Sequence, residues 1–169
     1  MTINGYLPST APAGRSVLQA WLTPPVIALT ASLLAFGALG AIGTYPWTSW
    51  PVPLRWALAV MFLLTASARL GPRRHALVAM VPPGLPHPRQ LVAVTGTLEA
   101  LGALGLLLPQ TALIAAWSLT ALLVAMFPAN LHAARNGIGM DGRQPTPLAI
   151  RSAQQATFIA VAVASALPW

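Results

Sequence analysis

Apolar residues form long, nearly uninterrupted runs along this chain, and polar residues and prolines fall mainly between the runs. A helix needs about 20 apolar residues to cross the roughly 30 Å hydrocarbon layer of a membrane. Five segments approach this length: 26–43, 54–70, 90–108, 112–134 and 148–167. The pattern therefore predicts an all-α integral membrane protein with five transmembrane helices.

The segments between the runs predict how the helices are connected. Residues 1–25 are predicted to form a polar tail, and the three-residue turn 109–111 predicts a tight antiparallel hairpin between the third and fourth spans. The connection of residues 73–89 begins basic, becomes apolar and ends rich in proline. This order predicts a short helix that lies on the membrane surface or re-enters the bundle.

The positions of the arginines support five spans. Five spans place the tail and the second and fourth connections on one side of the membrane. Eight of the nine arginines fall on that side and Arg55 alone on the other; the eight are Arg15, Arg69, Arg73, Arg74, Arg89, Arg135, Arg143 and Arg151. Because cytoplasmic loops are enriched in basic residues, we expect a cytoplasmic N-terminus and an outer C-terminus.

Composition narrows the class of protein further. Only 7% of the residues are charged and 56% are hydrophobic, whereas an ordinary soluble domain has about 25% charged residues. A soluble enzyme is therefore nearly excluded, and the net charge of +7 is better explained by topology and anionic lipid than by nucleic acid. The chain has no cysteine, which excludes disulfides and thiolate metal sites.

Glu99 is an acidic residue near the middle of the third predicted span. A carboxylate in the bilayer costs several kcal/mol unless it is neutralised, paired or hydrated, so we expect it to face the bundle interior. Gly96 and Ala100 form a small-residue pair beside it, which favours close approach of a neighbouring helix. Glu99 is then either a proton carrier or hydrogen-bonding group for a buried ligand, or a protonated or arginine-paired residue that fixes helix packing.

Four other polar residues are expected at a similar depth. Pro128 removes a helix hydrogen bond in the fourth span, close to Asn130 and His132. Arg69 ends the second span, and Gln154 or Gln155 enters from the fifth. The sequence predicts a ligand-binding or proton-carrying pocket in the cytoplasmic half, formed by Glu99, Asn130, His132, Arg69 and Gln154.

Each member of this pocket also has a structural interpretation. Arg69 can extend to lipid phosphates, the glutamines can bond to neighbouring backbone, and His132 can lie at the interface. No catalytic residue is assigned. His75 and His87 are far apart in sequence and are not accompanied by a nearby acid or thiol, so neither a metal nor a haem cofactor is expected.

Together, several stretches resemble the DoxX-like family of small bacterial membrane proteins over residues 54–167. The matching stretches are Met80-Val81-Pro82-Pro83, Leu85-Pro86-His87-Pro88, Gly96, Leu98-Glu99, residues 101–109 and residues 125–132. Relatives carry an Asn-His-Phe-like stretch near the end of the first family helix, where this chain has Ala68-Arg69-Leu70.

This resemblance implies a four-helix bundle over residues 54–169 of this chain, with residues 26–43 as an additional N-terminal helix, in the bacterial cytoplasmic membrane. The best-known relatives are membrane subunits of a thiosulfate:quinone oxidoreductase. The resemblance therefore suggests a quinone as cofactor or ligand.

Three functions remain open at this point. The first is a membrane component that binds a small apolar ligand, such as a quinone, around Glu99 and supports membrane-linked redox chemistry. The second is a non-catalytic accessory or scaffold subunit of a larger complex. The third is a small proton-coupled carrier. Beyond the lipid bilayer, we expect protein partners or a homo-oligomer as partners, and no nucleic acid.

Overall fold

The structure, a computed structural model, describes residues 16–44, 46, 49–139 and 146–167. Most of the predicted polar tail, with Arg15, and the loop that carries Asp141 and Arg143 lie outside the described residues. Within the described ranges the regular elements are seven helices and no strand: α1 Val17–Trp21, α2 Pro24–Ala41, α3 Pro51–Leu70, α4 Arg74–Ala79, α5 Pro88–Leu107, α6 Ala112–Arg135 and α7 Leu148–Ala166.

Four of these helices, α2, α3, α5 and α6, are long and apolar enough to cross a membrane. Several such helices in one chain are typical of a multi-pass membrane protein. The 19-residue helix α7 is not among the four, because Arg151, Gln154 and Gln155 interrupt its apolar run. The fifth span and the orientation of the chain therefore stay predictions.

Local sequence signals explain where the helices begin. The Ser16 side chain accepts a hydrogen bond from the Gln19 backbone N–H, and the Gln19 side chain accepts one from the Ser16 N–H; together they form a capping box for α1. Helices α2, α3 and α5 each have a proline in the first turn, where a missing N–H breaks no helical hydrogen bond. Helix α6 continues through Pro128 to Arg135.

Helix α3 has the largest share of buried positions among the helices that qualify as spans. It packs against α2, α5 and α7, while α6 packs against both α5 and α7. Phe62, Leu58 and Met61 of α3 meet Leu119 of α6 in the core, and each of these side chains is almost completely inaccessible to solvent. The core therefore lies between α3, α5, α6 and α7, and α2 covers one side of α3.

Glycines in α5 permit close approach of its two neighbours. A Cβ atom at Gly102 would lie 2.6 Å from Leu119 Cδ2, and one at Gly105 would lie 2.9 Å from Ala115 Cβ, both on α6. These distances are below van der Waals contact, so the α5–α6 hairpin depends on the missing side chains. A third glycine, Gly96, has the same relation to α3 and belongs to the site described next.

Candidate functional site

The centre of the candidate site is an ion pair between α3 and α5. Arg69 Nε donates a hydrogen bond to Glu99 Oε2 at 2.7 Å. The Glu99 residue is 1% exposed, whereas the Arg69 side chain keeps 20% of its surface exposed. A carboxylate removed from water is therefore neutralised by a guanidinium that extends from the edge of the bundle.

Gly96 allows this ion pair to form. A Cβ atom at position 96 would lie 2.7 Å from Arg69 Cβ, so the aliphatic stem of Arg69 crosses α5 directly over the glycine. Glu99 follows Gly96 by three residues and therefore shares its helical face. The absence of a side chain at position 96 thus lets the two charged groups approach each other.

Amide groups of α6 and α7 form a second polar contact. Asn130 Nδ2 donates to Gln155 Oε1 at 2.7 Å, and Gln155 Nε2 donates to the backbone carbonyl of Leu123. Gln155 is 6% exposed. Asn130 still has its carbonyl oxygen and a second amide N–H beyond the bond to Gln155, so it can both donate to and accept from a ligand.

Gln154 and Arg151 connect α7 to the remaining elements of the site. Gln154 Nε2 donates to the Trp21 backbone carbonyl at 3.1 Å, which holds the end of α1 against α7. Arg151 Nη1 lies 4.0 Å from the sulfur of Met80, just beyond the end of α4. The short helices α1 and α4 are therefore both fixed to the first two turns of α7.

These groups surround one partly open cavity of about 270 Å³. Its polar lining includes Arg69, Glu99, Asn130, Gln154 and Gln155, together with Thr65, Arg73 and Arg151. Its apolar lining includes Met61, Phe62, Leu77, Leu123, Met126 and Phe158. The cavity thus joins a hydrogen-bonding wall to an apolar body, which is the usual composition of a small-molecule site.

Four of the five residues predicted for the pocket line this cavity: Arg69, Glu99, Asn130 and Gln154. His132 does not. Its Nδ1 lies 3.0 Å from the Asn136 side-chain nitrogen, in the last turn of α6. His132 stands two positions after Asn130, a step that rotates the side chain by about 200° around a helix, so His132 lies on a different face of α6.

The sequence prediction omitted Thr65 and Arg151, which also line the cavity. Thr65 precedes Arg69 by four residues on α3, and its hydroxyl donates to the Phe62 backbone carbonyl at 3.0 Å. Helical spacing could have identified both residues. Thr65 shares a helical face with Arg69, and Arg151, three residues before Gln154, shares a face with that residue. Across the described ranges, no group of three or more His, Asp or Glu side chains is arranged to hold a metal ion.

Comparison with known proteins gives one family match. Residues 56–166, from α3 to the end of α7, match a family described as a domain of unknown function (DUF8561). No curated protein and no solved structure matches the chain. The match covers more than half of the chain and includes every residue that lines the cavity except four, which lie between α1 and α2 and at the start of α2: Leu22, Thr23, Pro24 and Pro25.

Proposed function

The chain belongs to the DUF8561 family, and we propose that it is a multi-pass protein of the bacterial cytoplasmic membrane that binds a small apolar ligand of the quinone class. The ligand occupies the cavity lined by Glu99, Arg69 and Asn130. The observation that supports this proposal is the joining of these polar groups to an apolar cavity of about 270 Å³. Small-molecule sites typically enclose about 300–1,000 Å³, so this cavity suits a compact head group.

The polar wall matches the hydrogen-bonding needs of a quinone. The two quinone oxygens accept hydrogen bonds, and the guanidinium of Arg69 and the amide of Asn130 are donors on the cavity wall. The reduced quinol also donates, and the carbonyl oxygen of Asn130 and the carboxylate of Glu99 are acceptors. The apolar side chains of Met61, Phe62 and Phe158 would contact the ring and the start of its tail.

In this redox chemistry, the chain binds and orients the quinone and exchanges protons with it. Reduction of a quinone takes up two electrons and two protons. The chain has no cysteine, and we assign the electrons to a redox partner protein. The resemblance to DoxX-like proteins is consistent with this division, because the best-known members of that family are membrane subunits of a larger oxidoreductase.

The proposed topology places the cavity in the cytoplasmic half of the membrane. Helix α7 is the fifth span in this arrangement, and the eight-to-one distribution of arginines supports a cytoplasmic N-terminus. Arg69 at the end of α3 and Arg151 in the first turn of α7 both line the cavity. The open side of the cavity then faces the inner leaflet and its interface.

Quinone binding can be tested with a substitution that fills the cavity and leaves its charged residues unchanged. Ala68 lines the cavity, whereas the neighbouring Ser67 on α3 is exposed and lies outside the lining. Wild type, Ala68→Leu and the control Ser67→Leu are purified gently from native membranes, and the bound quinone is measured by mass spectrometry. We expect quinone in wild type and Ser67→Leu and at least a tenfold lower occupancy in Ala68→Leu.

Two results would contradict the proposal. One is equal quinone content in folded Ala68→Leu and wild type; the other is no quinone in any of the three proteins. A monodisperse elution profile and an unchanged helical circular-dichroism spectrum confirm that Ala68→Leu is folded.

A second candidate function is that of an accessory subunit, and the exposure of α2 favours it. Leu29 is the buried residue of this helix, and Leu34 remains 70% exposed. An apolar face of this kind contacts either lipid or another membrane protein. Stoichiometric protein partners in all three purified proteins, with no quinone in any, would support this function instead.

A further inference from the structure

A second, smaller crevice lies where α4 meets the start of α5. Its volume is about 120 Å³, and it is lined by Arg74, His75, Val78 and Arg89. Three of these four side chains carry guanidinium or imidazole nitrogens. The crevice shares no lining residue with the cavity around Glu99, so it is a separate feature of the fold.

Arg74 is held in place by one bond and retains an unused donor. Its Nη2 donates to the backbone carbonyl of Arg89 at 2.8 Å, which joins α4 to the first turn of α5. Its Nε is buried and has no hydrogen-bond partner among the described residues. A buried donor without a partner is unfavourable, so a ligand that accepts a hydrogen bond from this guanidinium would be stabilised.

No carboxylate in the described part of the chain neutralises this crevice. Glu99 is the acidic residue within that part, and it pairs with Arg69 at 2.7 Å. Arg74 and Arg89 therefore place two positive charges at one crevice, and His75 adds a further donor. An anion that accepts several hydrogen bonds complements such a group of donors.

The position of the crevice favours a phosphate group as this anion. Helix α3 ends at Leu70, four residues before α4, and α5 begins at Pro88, so the crevice lies at the ends of two helices that qualify as membrane spans. Lipid phosphates occupy this level of a membrane, and anionic lipids attract basic residues beside it. Arginine is also the side chain best suited to bind phosphate by paired hydrogen bonds.

We propose that Arg74, His75 and Arg89 form a phosphate-binding site, with the two guanidiniums as its main ligands. A cavity needs about 10–15 Å³ of such space to hold one water molecule, so the crevice of about 120 Å³ has room for more than a water. That space admits a tetrahedral oxyanion and leaves any attached chain outside the crevice. The phosphate belongs either to the head group of an anionic lipid or to a soluble phosphate compound.

The experiment uses the full-length protein in phosphate-free detergent. Binding of phosphatidylglycerol is measured by native mass spectrometry, and binding of inorganic phosphate by calorimetry. The variants are Arg74→Gln, Arg89→Gln and the control Arg135→Gln. Arg135 is exposed in the last turn of α6 and does not line the crevice, so the control removes the same charge elsewhere.

We expect Arg74→Gln and Arg89→Gln each to weaken binding about tenfold, as expected when a charge-assisted hydrogen bond is lost, and Arg135→Gln to weaken it less than twofold. Arg89→Gln is the more informative variant. Arg74 donates to the backbone carbonyl of Arg89, so this substitution removes a charge and keeps the hydrogen bond that joins α4 to α5. Wild-type binding of phosphatidylglycerol that inorganic phosphate does not displace identifies a lipid as the source. Binding of inorganic phosphate alone identifies a soluble phosphate compound.

The proposal is overturned if the three variants lose affinity equally, since binding would then follow total charge alone. It is also overturned if wild type binds neither probe. Both results are independent of quinone occupancy, because the crevice and the larger cavity have different linings.

Discussion

The Glu99–Arg69 ion pair combines the two interpretations that the sequence left open for Glu99. The carboxylate is paired with an arginine at 2.7 Å, as in the packing interpretation, yet both residues also line the cavity, as in the ligand-binding interpretation. A buried pair adds little net stability compared with apolar residues, whereas breaking it leaves an uncompensated charge. Each of the two charges therefore depends on the other for its compensation.

Loss of Arg69 alone should therefore be more harmful than loss of the whole pair. We expect Arg69→Gln to lower the free energy of unfolding by about 3–5 kcal/mol, because Glu99 stays buried without its partner. The double variant Arg69→Gln with Glu99→Gln should recover at least half of that loss. Thermal unfolding in detergent, followed by tryptophan fluorescence, measures both effects. A double variant as unstable as the sum of its single substitutions would show that the two residues act independently.

Sequence reasoning at the residue scale identified the groups but could not choose among their contacts. A carboxylate within an apolar span requires compensation, so Glu99 is recognisable without a structure. The sequence allowed Arg69 to lie either in the pocket or at lipid phosphates. The packing of α3 over Gly96 places Arg69 in the pocket lining. His132 was assigned by its depth along α6, while the direction of its side chain depends on rotation around the helix axis.

Helix boundaries differ from the predicted spans in one consistent way. The observed helices α2, α3 and α5 begin at Pro24, Pro51 and Pro88, two or three residues before the apolar runs that predicted them. Proline interrupts an apolar run and yet is well accommodated in the first turn of a helix. Hydropathy therefore located these helices, but it assigned their first two or three residues to the preceding connecting segments.

Contacts between elements depend on small residues that hydropathy does not evaluate. Gly96 and Ala100 predicted a close approach to α5 from an unspecified helix, and the structure assigns that approach to α3 through Arg69. The short helix α1 was not predicted. It consists of five residues, too few for a periodic signal, and its capping box and its bond to Gln154 hold it in place.

Gly96→Ala should separate α3 from α5. The new methyl group would lie 2.7 Å from Arg69 Cβ, which is attached directly to the backbone and cannot rotate away. We expect a loss of about 1–3 kcal/mol in unfolding free energy, the usual cost of overpacking. Chemical unfolding in mixed micelles would measure this change.

The matched control is Gly37→Ala on α2, where nothing lies within 4 Å of the added Cβ atom. This substitution should be neutral or stabilise the helix by up to about 1 kcal/mol, because alanine has the higher helix propensity. Equal losses for the two variants would contradict the close approach at Gly96.

At the scale of the whole molecule, the number of spans depends on α7. Its polar residues Gln154 and Gln155 are buried against Trp21, Asn130 and Leu123, so they need not be exposed to lipid even though they reduce the hydropathy of the helix. Hydropathy evaluates each helix as if it were isolated, whereas a helix inside a bundle can carry polar groups on its buried face. The packing of α7 against α3 and α6 is therefore compatible with a fifth span.

Cysteine labelling of intact cells tests this topology, because the chain has no cysteine of its own. Single cysteines at Gly84 and Asn136 should resist a membrane-impermeant maleimide and react only after permeabilisation. A cysteine at Gln110, in the exposed turn between α5 and α6, should react in intact cells. The deciding pair is Thr146 and Leu167, which stand on either side of α7. If α7 crosses the membrane, Leu167→Cys reacts from outside and Thr146→Cys does not. If the two cysteines are equally accessible, both ends of α7 lie on the same side of the membrane. The number of membrane spans would then be the four helices that qualify by length and composition.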